Sequence, residues 1–377
     1  MKRVLPILLA AVLLVPCVHA APAAPQVNAA SSILMEKETG TILSETNSHE
    51  KLEPASVTKV MTLLLIMEAL DSGRITKEDM VCVSAYAAGM GGSQVFLEEG
   101  EQMSVHELLK CIAVSSANDA AVAMAEHLAG SEAAFADSMN ARAAQLGMAD
   151  THFSNCTGLP VANHYTSAHD IALMSRQLIL YHPDIQTYST IWMDTIRGGA
   201  FGLSNTNRLI RFYNGATGLK TGFTDSALYC LSATAERSGM ELIACIMKSP
   251  TSDDRFQAAK TLLDYGFSNY TLTTVHPDQA LAPVDVLLGT AQQVQPRLSR
   301  DCRLLLSRDS AGQITTELTL AENVEAPVEA GQQLGQMTVR VNGEVRDTVP
   351  IVACEEIPRL SLPGIFSQLL RRMLMAD

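Results

Sequence analysis

Pro54-Ala55-Ser56-Val57-Thr58-Lys59-Val60-Met61-Thr62-Leu63-Leu64-Leu65-Ile66-Met67-Glu68-Ala69-Leu70 is the stretch on which the reading of this chain turns. From Val57 to Leu70 it is almost unbroken in its apolar character, which predicts a helix buried on nearly all sides. Ser56 and Lys59 stand one turn apart at the start of that helix, so their side chains share a face. An ammonium placed there loses hydration and its charged form is disfavoured, which makes Lys59 available as a neutral base for the Ser56 hydroxyl. The plainer alternative is that Ser56 only caps the helix and Lys59 reaches out to solvent. A second Ser-x-x-Lys, from Ser48 to Lys51, lies in the polar turn Asn47-Ser48-His49-Glu50, so spacing alone does not choose between the two.

Upstream of this helix, two apolar stretches between Ala29 and Ser44 flank Lys37-Glu38-Thr39-Gly40, the pattern of a β-hairpin in an antiparallel sheet. Downstream, helical periodicity occupies Val105 to Ala129, Glu132 to Leu146 and Ser167 to Tyr181. Strand-like text resumes near Lys220, at Leu228 to Ala235 and at Leu242 to Met247, and Arg255 to Tyr265 reads as a closing helix. Beyond Tyr270, Gly312 and Asn342-Gly343 punctuate β-rich segments such as Gln313 to Leu320 and Met337 to Val341, which predicts a domain boundary near 270 to 276. The final stretch, Leu362 to Met375, spaces Ile365, Phe366, Leu369, Leu370, Met373 and Leu374 at helical intervals opposite Gln368, Arg371 and Arg372. It is shorter than the about 20 apolar residues that a membrane span requires.

With 47% hydrophobic and 18% charged residues in a chain of 377, a folded protein with a substantial core is expected. Lys and Arg total 27 against 40 Asp and Glu, so the electrostatic footprint of a nucleic-acid binder is absent. Residues 1–20 combine Met1-Lys2-Arg3, an apolar run from Val4 to Val15 and Val18-His19-Ala20, which reads as a secretory signal. The cysteines left after its removal are odd in number and lack a Cys-x-x-Cys pair, so they suit buried thiols rather than a disulfide framework or a zinc ribbon. Within the C-terminal module, Cys302 and Cys354 are the one plausible pair. No His-Glu-x-x-His occurs, and His164 and His169 are poorly spaced for one helix face, so no metal site is expected.

Two further short motifs follow the buried helix. Ser-x-Asn occurs at Ser116-Ala117-Asn118 and again at Ser138-Met139-Asn140. The first emerges from the apolar run Ile112-Ala113-Val114 and needs partners that a catalytic cleft supplies; the second reads as solvated helix surface. Lys220-Thr221-Gly222 occurs once and leads into a strand, offering a cation for a carboxylate, a hydroxyl, and a position where substrate can approach the backbone. Each motif alone is cheap, and an exposed turn lysine would explain the last. The order SxxK, SxN, KTG, with each beside the element its chemistry needs, points to an active serine.

On these residues the chain resembles the low-molecular-mass penicillin-binding proteins, serine-type D-alanyl-D-alanine carboxypeptidases. The likeness extends through Gly147-Met148, Thr151-His152-Phe153-Ser154-Asn155 and Gly218-Leu219-Lys220-Thr221-Gly222-Phe223-Thr224, and more loosely through Ala326-Pro327-Val328 and Gly331-Gln332. It departs at Thr217, where members often carry Asp, and at Phe223, where some carry His.

The resemblance implies an α/β (α+β) fold of the penicillin-recognising type, with an antiparallel sheet covered by helices plus a helical insert. A small β-rich C-terminal domain follows. The expected division is a leader at 1–20, a catalytic transpeptidase-like domain at 21–270, an accessory domain at 275–358 and an amphipathic helix at 361–377. By the same resemblance, Ser56 attacks the penultimate D-Ala carbonyl of a peptidoglycan stem peptide and Lys59 takes its proton. Ser116 relays a proton to the leaving amine, while Asn118 holds the substrate amide and Lys59. Lys220 and Thr221 bind the terminal carboxylate beside Gly222, and the N–H groups of Ser56 and Phe223 form the oxyanion hole. Asn207 and Arg208 are expected near that carboxylate. Lys220 is expected to be charged, with its field lowering the proton affinity of Lys59.

Neither cofactor nor metal is expected, and β-lactams should act as inhibitors. A β-lactamase or esterase on the same fold, or a noncatalytic wall-binding protein, are the rival readings. The absence of a Glu-x-x-Leu-Asn segment disfavours the lactamase. Expected localisation is the outer face of the cytoplasmic membrane or the cell wall, with the terminal helix at the membrane surface.

Overall fold

The computed structural model describes residues 24–308, 313–366 and 370. The expected leader, together with Arg371 and Arg372, lies outside the described residues. The central layer is an antiparallel sheet of β1 (Ser31–Glu36), β2 (Ile42–Thr46), β3 (Ala216–Thr224), β4 (Leu228–Arg237) and β5 (Met240–Ser249). Its strand order is β2-β1-β5-β4-β3, which leaves β3 on a free edge. The hairpin turn between β1 and β2 is held by the Glu36 carboxylate, which accepts hydrogen bonds from the Glu38 and Thr39 amides.

Alternation along the strands explains why the sheet carries helices on both faces. Ile33, Met35, Ile243, Cys245 and Met247 point into the larger core, which is built around α1 (Lys59–Asp71). Their neighbours Leu34, Leu242, Ala244 and Ile246 point into the second core, where α6 (Ser252–Asn269) supplies Phe256, Ala259, Leu262 and Leu263. In α1, Val60, Met61, Leu63, Leu64, Ile66 and Met67 are all buried, as its unstriped apolar sequence predicts.

The helical insert comprises α2 (Val105–Val114), α3 (Asn118–Ala129), α4 (Glu132–Gln145) and α5 (Ala168–Tyr181). Here the sequence reading needs a correction, because the single helix expected from Val105 to Ala129 is two. The chain breaks at Ser115-Ser116-Ala117, where Ser116 takes a left-handed backbone (φ 62°), and the Asn118 amide donates to Ser93 O at 2.7 Å. A run of Ser, Ser, Ala, Asn and Asp competes with helix through local side-chain bonding and favours a new helix start.

After α6, β6 (Tyr270–Val275) pairs with β8 (Cys302–Ser307), and β7 (Pro296–Leu298), β11 (Glu344–Ala353), β10 (Gln333–Val341) and β9 (Ile314–Leu320) form a four-stranded sheet in that order. Val275, Cys302, Met337, Val339, Val349 and Ile351 share one small core. Cys302 is buried and Cys354 exposed, and both thiols are free, so the candidate disulfide is not formed. Residues 362–366 are helical, and Leu362 and Phe366 are largely exposed. Among the described residues no helix is long and apolar enough to cross a membrane.

Candidate active site

A single turn of 3₁₀ helix, Ala55–Thr58, carries the half-buried Ser56 and leads directly into α1. No side chain caps this turn, so Ser56 does not serve as the helix cap that the plainer reading allowed. Lys59 is fully buried, and its Nζ donates to Ser56 Oγ at 2.9 Å, to Asn118 Oδ1 at 2.6 Å and to Thr157 O at 2.8 Å. Burial lowers its pKa to about 7, opposed by the fields of Cys156 and Asp119. A buried lysine at that value is neutral in a large fraction of molecules near neutral pH, where an exposed lysine is not.

The break between α2 and α3 positions the second motif. Asn118 is fixed at both ends of its amide, accepting from Lys59 and donating from Nδ2 to Gly91 O at 2.6 Å. Ser116 is buried in its left-handed conformation, and its Oγ has no hydrogen-bond partner among the described residues. A strained backbone and an unsatisfied buried hydroxyl are both costly, and such costs collect at functional sites.

The third motif enters from the free edge of the sheet. Lys220 and Thr221 are buried on β3; Lys220 Nζ donates to Thr221 O at 3.2 Å, and Thr221 Oγ1 donates to Thr206 Oγ1 at 2.6 Å. Burial holds the Lys220 pKa well below its ordinary value, and the charges of Lys59 and Arg255 push it further in the same direction. Burial thus depresses both amines, and the field between them acts on Lys220 rather than, as expected, on Lys59.

Gly222 has a packing role beside the one expected of it. A Cβ there would lie 2.7 Å from Pro54 O and 3.1 Å from Ser56 N, so its bareness lets the strand press against the Ser56 turn. The Phe223 side chain is exposed and packs at a tilt against Tyr229, 4.5 Å between ring centroids.

Several sequence candidates are placed elsewhere. Ser48 Oγ donates to Glu45, while Lys51 lies near Asp150 and over the Tyr165 ring, so the second SxxK is not assembled. Asn140, expected on a solvated surface, instead brackets the Phe153 backbone through both its amide atoms. Asn207 is buried and staples β3 by donating to Gly218 O, and Arg208 pairs with the exposed Asp253. Among the described residues no group of three or more His, Cys, Asp or Glu is arranged to hold a metal.

The Asn155-Cys156-Thr157-Gly158 turn escaped the sequence reading as a site element, because its contribution to Lys59 is a backbone carbonyl. Asn155 Oδ1 accepts from the Thr157 and Gly158 amides and aims Thr157 O inward. The Asn-x-x-Gly pattern was the available signal.

Residues 18–251 match the D-alanyl-D-alanine carboxypeptidase family of peptidases, and residues 270–359 match the C-terminal domain of penicillin-binding protein 5. The chain belongs to the D-alanyl-D-alanine carboxypeptidase family. It is 41% identical over 336 residues to the D-alanyl-D-alanine carboxypeptidase DacF of Bacillus subtilis, covering 88% of this chain and 86% of that one. Penicillin-binding protein 5 of Haemophilus influenzae superposes with a TM-score of 0.75 at 29% identity, over 89% of this chain and 99% of that one. Penicillin-binding protein D2 of Listeria monocytogenes, solved in its ampicillin-bound form, superposes with a TM-score of 0.56 at 32% identity, over 64% and 98% of the two chains. The penicillin-recognising fold expected from the sequence is thus the fold of this D-alanyl-D-alanine carboxypeptidase family member.

Proposed function

We propose that the chain removes the terminal D-Ala from peptidoglycan stem peptides through an acyl-enzyme on Ser56, and that β-lactams inhibit it by acylating the same hydroxyl. The observation that carries this reading is the buried Lys59 amine, 2.9 Å from Ser56 Oγ with a pKa lowered to about 7. In the attack, Ser56 Oγ–H donates its proton to the Lys59 lone pair as Oγ bonds the penultimate D-Ala carbonyl carbon. Negative charge on the carbonyl oxygen meets the N–H groups of Ser56 and Phe223. Ser116 passes a proton to the departing amine, terminal D-Ala leaves, and water then cleaves the ester.

Lys220 and Thr221 anchor the substrate's terminal carboxylate. A carboxylate entering beside Lys220 supplies the counter-charge that this amine lacks, so binding should raise its pKa and draw in a proton. Asn118 orients Lys59 and the substrate amide. The division into a catalytic region at 21–270 and an accessory module at 275–358 keeps all of these groups in the first region. Export by the leader and an interfacial helix at 361–377 would place the cleft outside the cytoplasmic membrane, near its peptidoglycan substrate.

The test is D-Ala release from a diacyl-Lys-D-Ala-D-Ala peptide alongside penicillin turnover. Catalytic peptide cleavage with a long-lived penicillin adduct is the expected result. Rapid penicillin hydrolysis without peptide cleavage would identify a β-lactamase, and absence of both a wall-binding protein.

A further inference from the structure

Arg255, in the first turn of α6, is a buried cation whose partners are carbonyls rather than carboxylates. Its Nη1 donates to Gly222 O at 2.9 Å and to Cys230 O at 3.3 Å, residues that face each other across β3 and β4. The guanidinium is flanked by the rings of Tyr229 and Phe256, 5.3 and 4.7 Å from their centroids. Its Nε is buried without a hydrogen-bond partner among the described residues. Burial lowers its pKa to about 10, so it stays charged at neutral pH. A desolvated cation without a close counter-charge is expensive, and packing alone would be served by an apolar side chain.

Peptide geometry says what this cation acts on. The Gly222–Phe223 bond is trans, so its C=O and N–H point in opposite directions. Arg255 holds the carbonyl on the side shared with β4, which turns the Phe223 N–H off the free edge of the sheet. We infer that Arg255 is a positioning residue for acyl transfer, fixing and polarising the Gly222–Phe223 peptide so that the Phe223 N–H is aimed at the oxyanion. This rests on the function proposed above. A charged donor on the carbonyl draws electron density through the amide and makes its N–H a stronger donor as negative charge builds on the substrate oxygen.

Arg255→Met and Arg255→Lys separate this role from two others, a direct contact to substrate carboxylate and simple packing. The measurements are kcat and KM on the diacyl peptide, and inhibition by two alanine-like boronic acids, one bearing the terminal carboxylate and one lacking it. Their tetrahedral adducts fill the oxyanion site. For Arg255→Met, kcat should fall roughly 10- to 100-fold, short of the roughly 100- to 1,000-fold loss on deleting a donor outright. KM should stay within about twofold. Both boronates should weaken by the same factor as kcat, and Arg255→Lys should recover part of the loss.

Loss confined to the carboxylate-bearing boronate, with a raised KM, would overturn the proposal in favour of a substrate ligand. Unchanged kcat and boronate affinities in a folded Arg255→Met would reduce the residue to packing. Should Arg255→Met fail to fold, the infrared carbonyl band of the Arg255→Lys acyl-enzyme decides. It should move to higher frequency than in wild type, and an unmoved band would contradict the inference. A wild-type enzyme that neither cleaves the peptide nor binds either boronate would instead defeat the proposed function.

Discussion

Lys59 illustrates how its surroundings fit one residue to the role of base proposed for it. Three acceptors converge on Nζ, enough to satisfy a full ammonium, yet complete burial removes the hydration that an ammonium ordinarily keeps. When the amine is neutral it has two N–H groups and a lone pair, and Ser56 is the partner whose hydroxyl can donate into that lone pair. Acylation by penicillin should therefore slow about tenfold for each pH unit below about 7 and level off above it, because protonation removes the base. The same depression makes the folded chain bind fewer protons than the unfolded one between about pH 7 and the ordinary lysine value, so this group's contribution to stability rises with pH through that window. Stopped-flow acylation across pH 5 to 9, as an assay range, checks the kinetic claim; a flat profile contradicts it. Lys59→Arg should lose acylation by roughly a thousandfold or more, since guanidinium stays protonated at any of these values.

At the scale of elements, the site is the meeting of a 3₁₀ turn, a helix break and an edge strand. Gly222→Ala tests that contact, because the new Cβ would collide with Pro54 O and Ser56 N. The expected cost is about 1–3 kcal/mol of stability. Acylation should fall roughly a hundredfold as the Ser56 turn moves out of line. Denaturant melts read with penicillin acylation rates check both, and a fully active Gly222→Ala would show that the strand does not set the geometry.

These elements were legible in the sequence to different degrees. The buried α1 announces itself by its lack of a polar stripe, and the doubly covered strands by continuous apolar text. The break at Ser116 was less legible, since the polar run Ser115-Ser116-Ala117-Asn118-Asp119 that marks it lies between two helical apolar stretches and the left-handed serine shows only in the fold. Backbone groups such as Thr157 O and Gly91 O reach Lys59 and Asn118, and only the Asn155-x-x-Gly158 turn gave a side-chain signal for the first of them. The state of Lys220 was also hidden, because a motif gives the residue type and only the fold gives its burial and its neighbouring charges.

The whole molecule sets the proposed site on a sheet edge and appends a β-rich module, beyond which the chain continues into a short helical stretch at 362–366. Leu362 and Phe366 are exposed on that stretch. Deleting residues 361–377 should abolish co-sedimentation with anionic liposomes while leaving hydrolysis of a soluble peptide unchanged. Persistent binding, or unfolding of the truncated chain, would return the segment to the fold. The covalent event proposed for this site can be observed directly on the full chain. Intact-mass spectrometry after brief exposure to penicillin, followed by peptide mapping, should find a single adduct on Ser56 that disappears in Ser56→Ala; an adduct that survives that substitution, or maps to Ser48, would contradict the account.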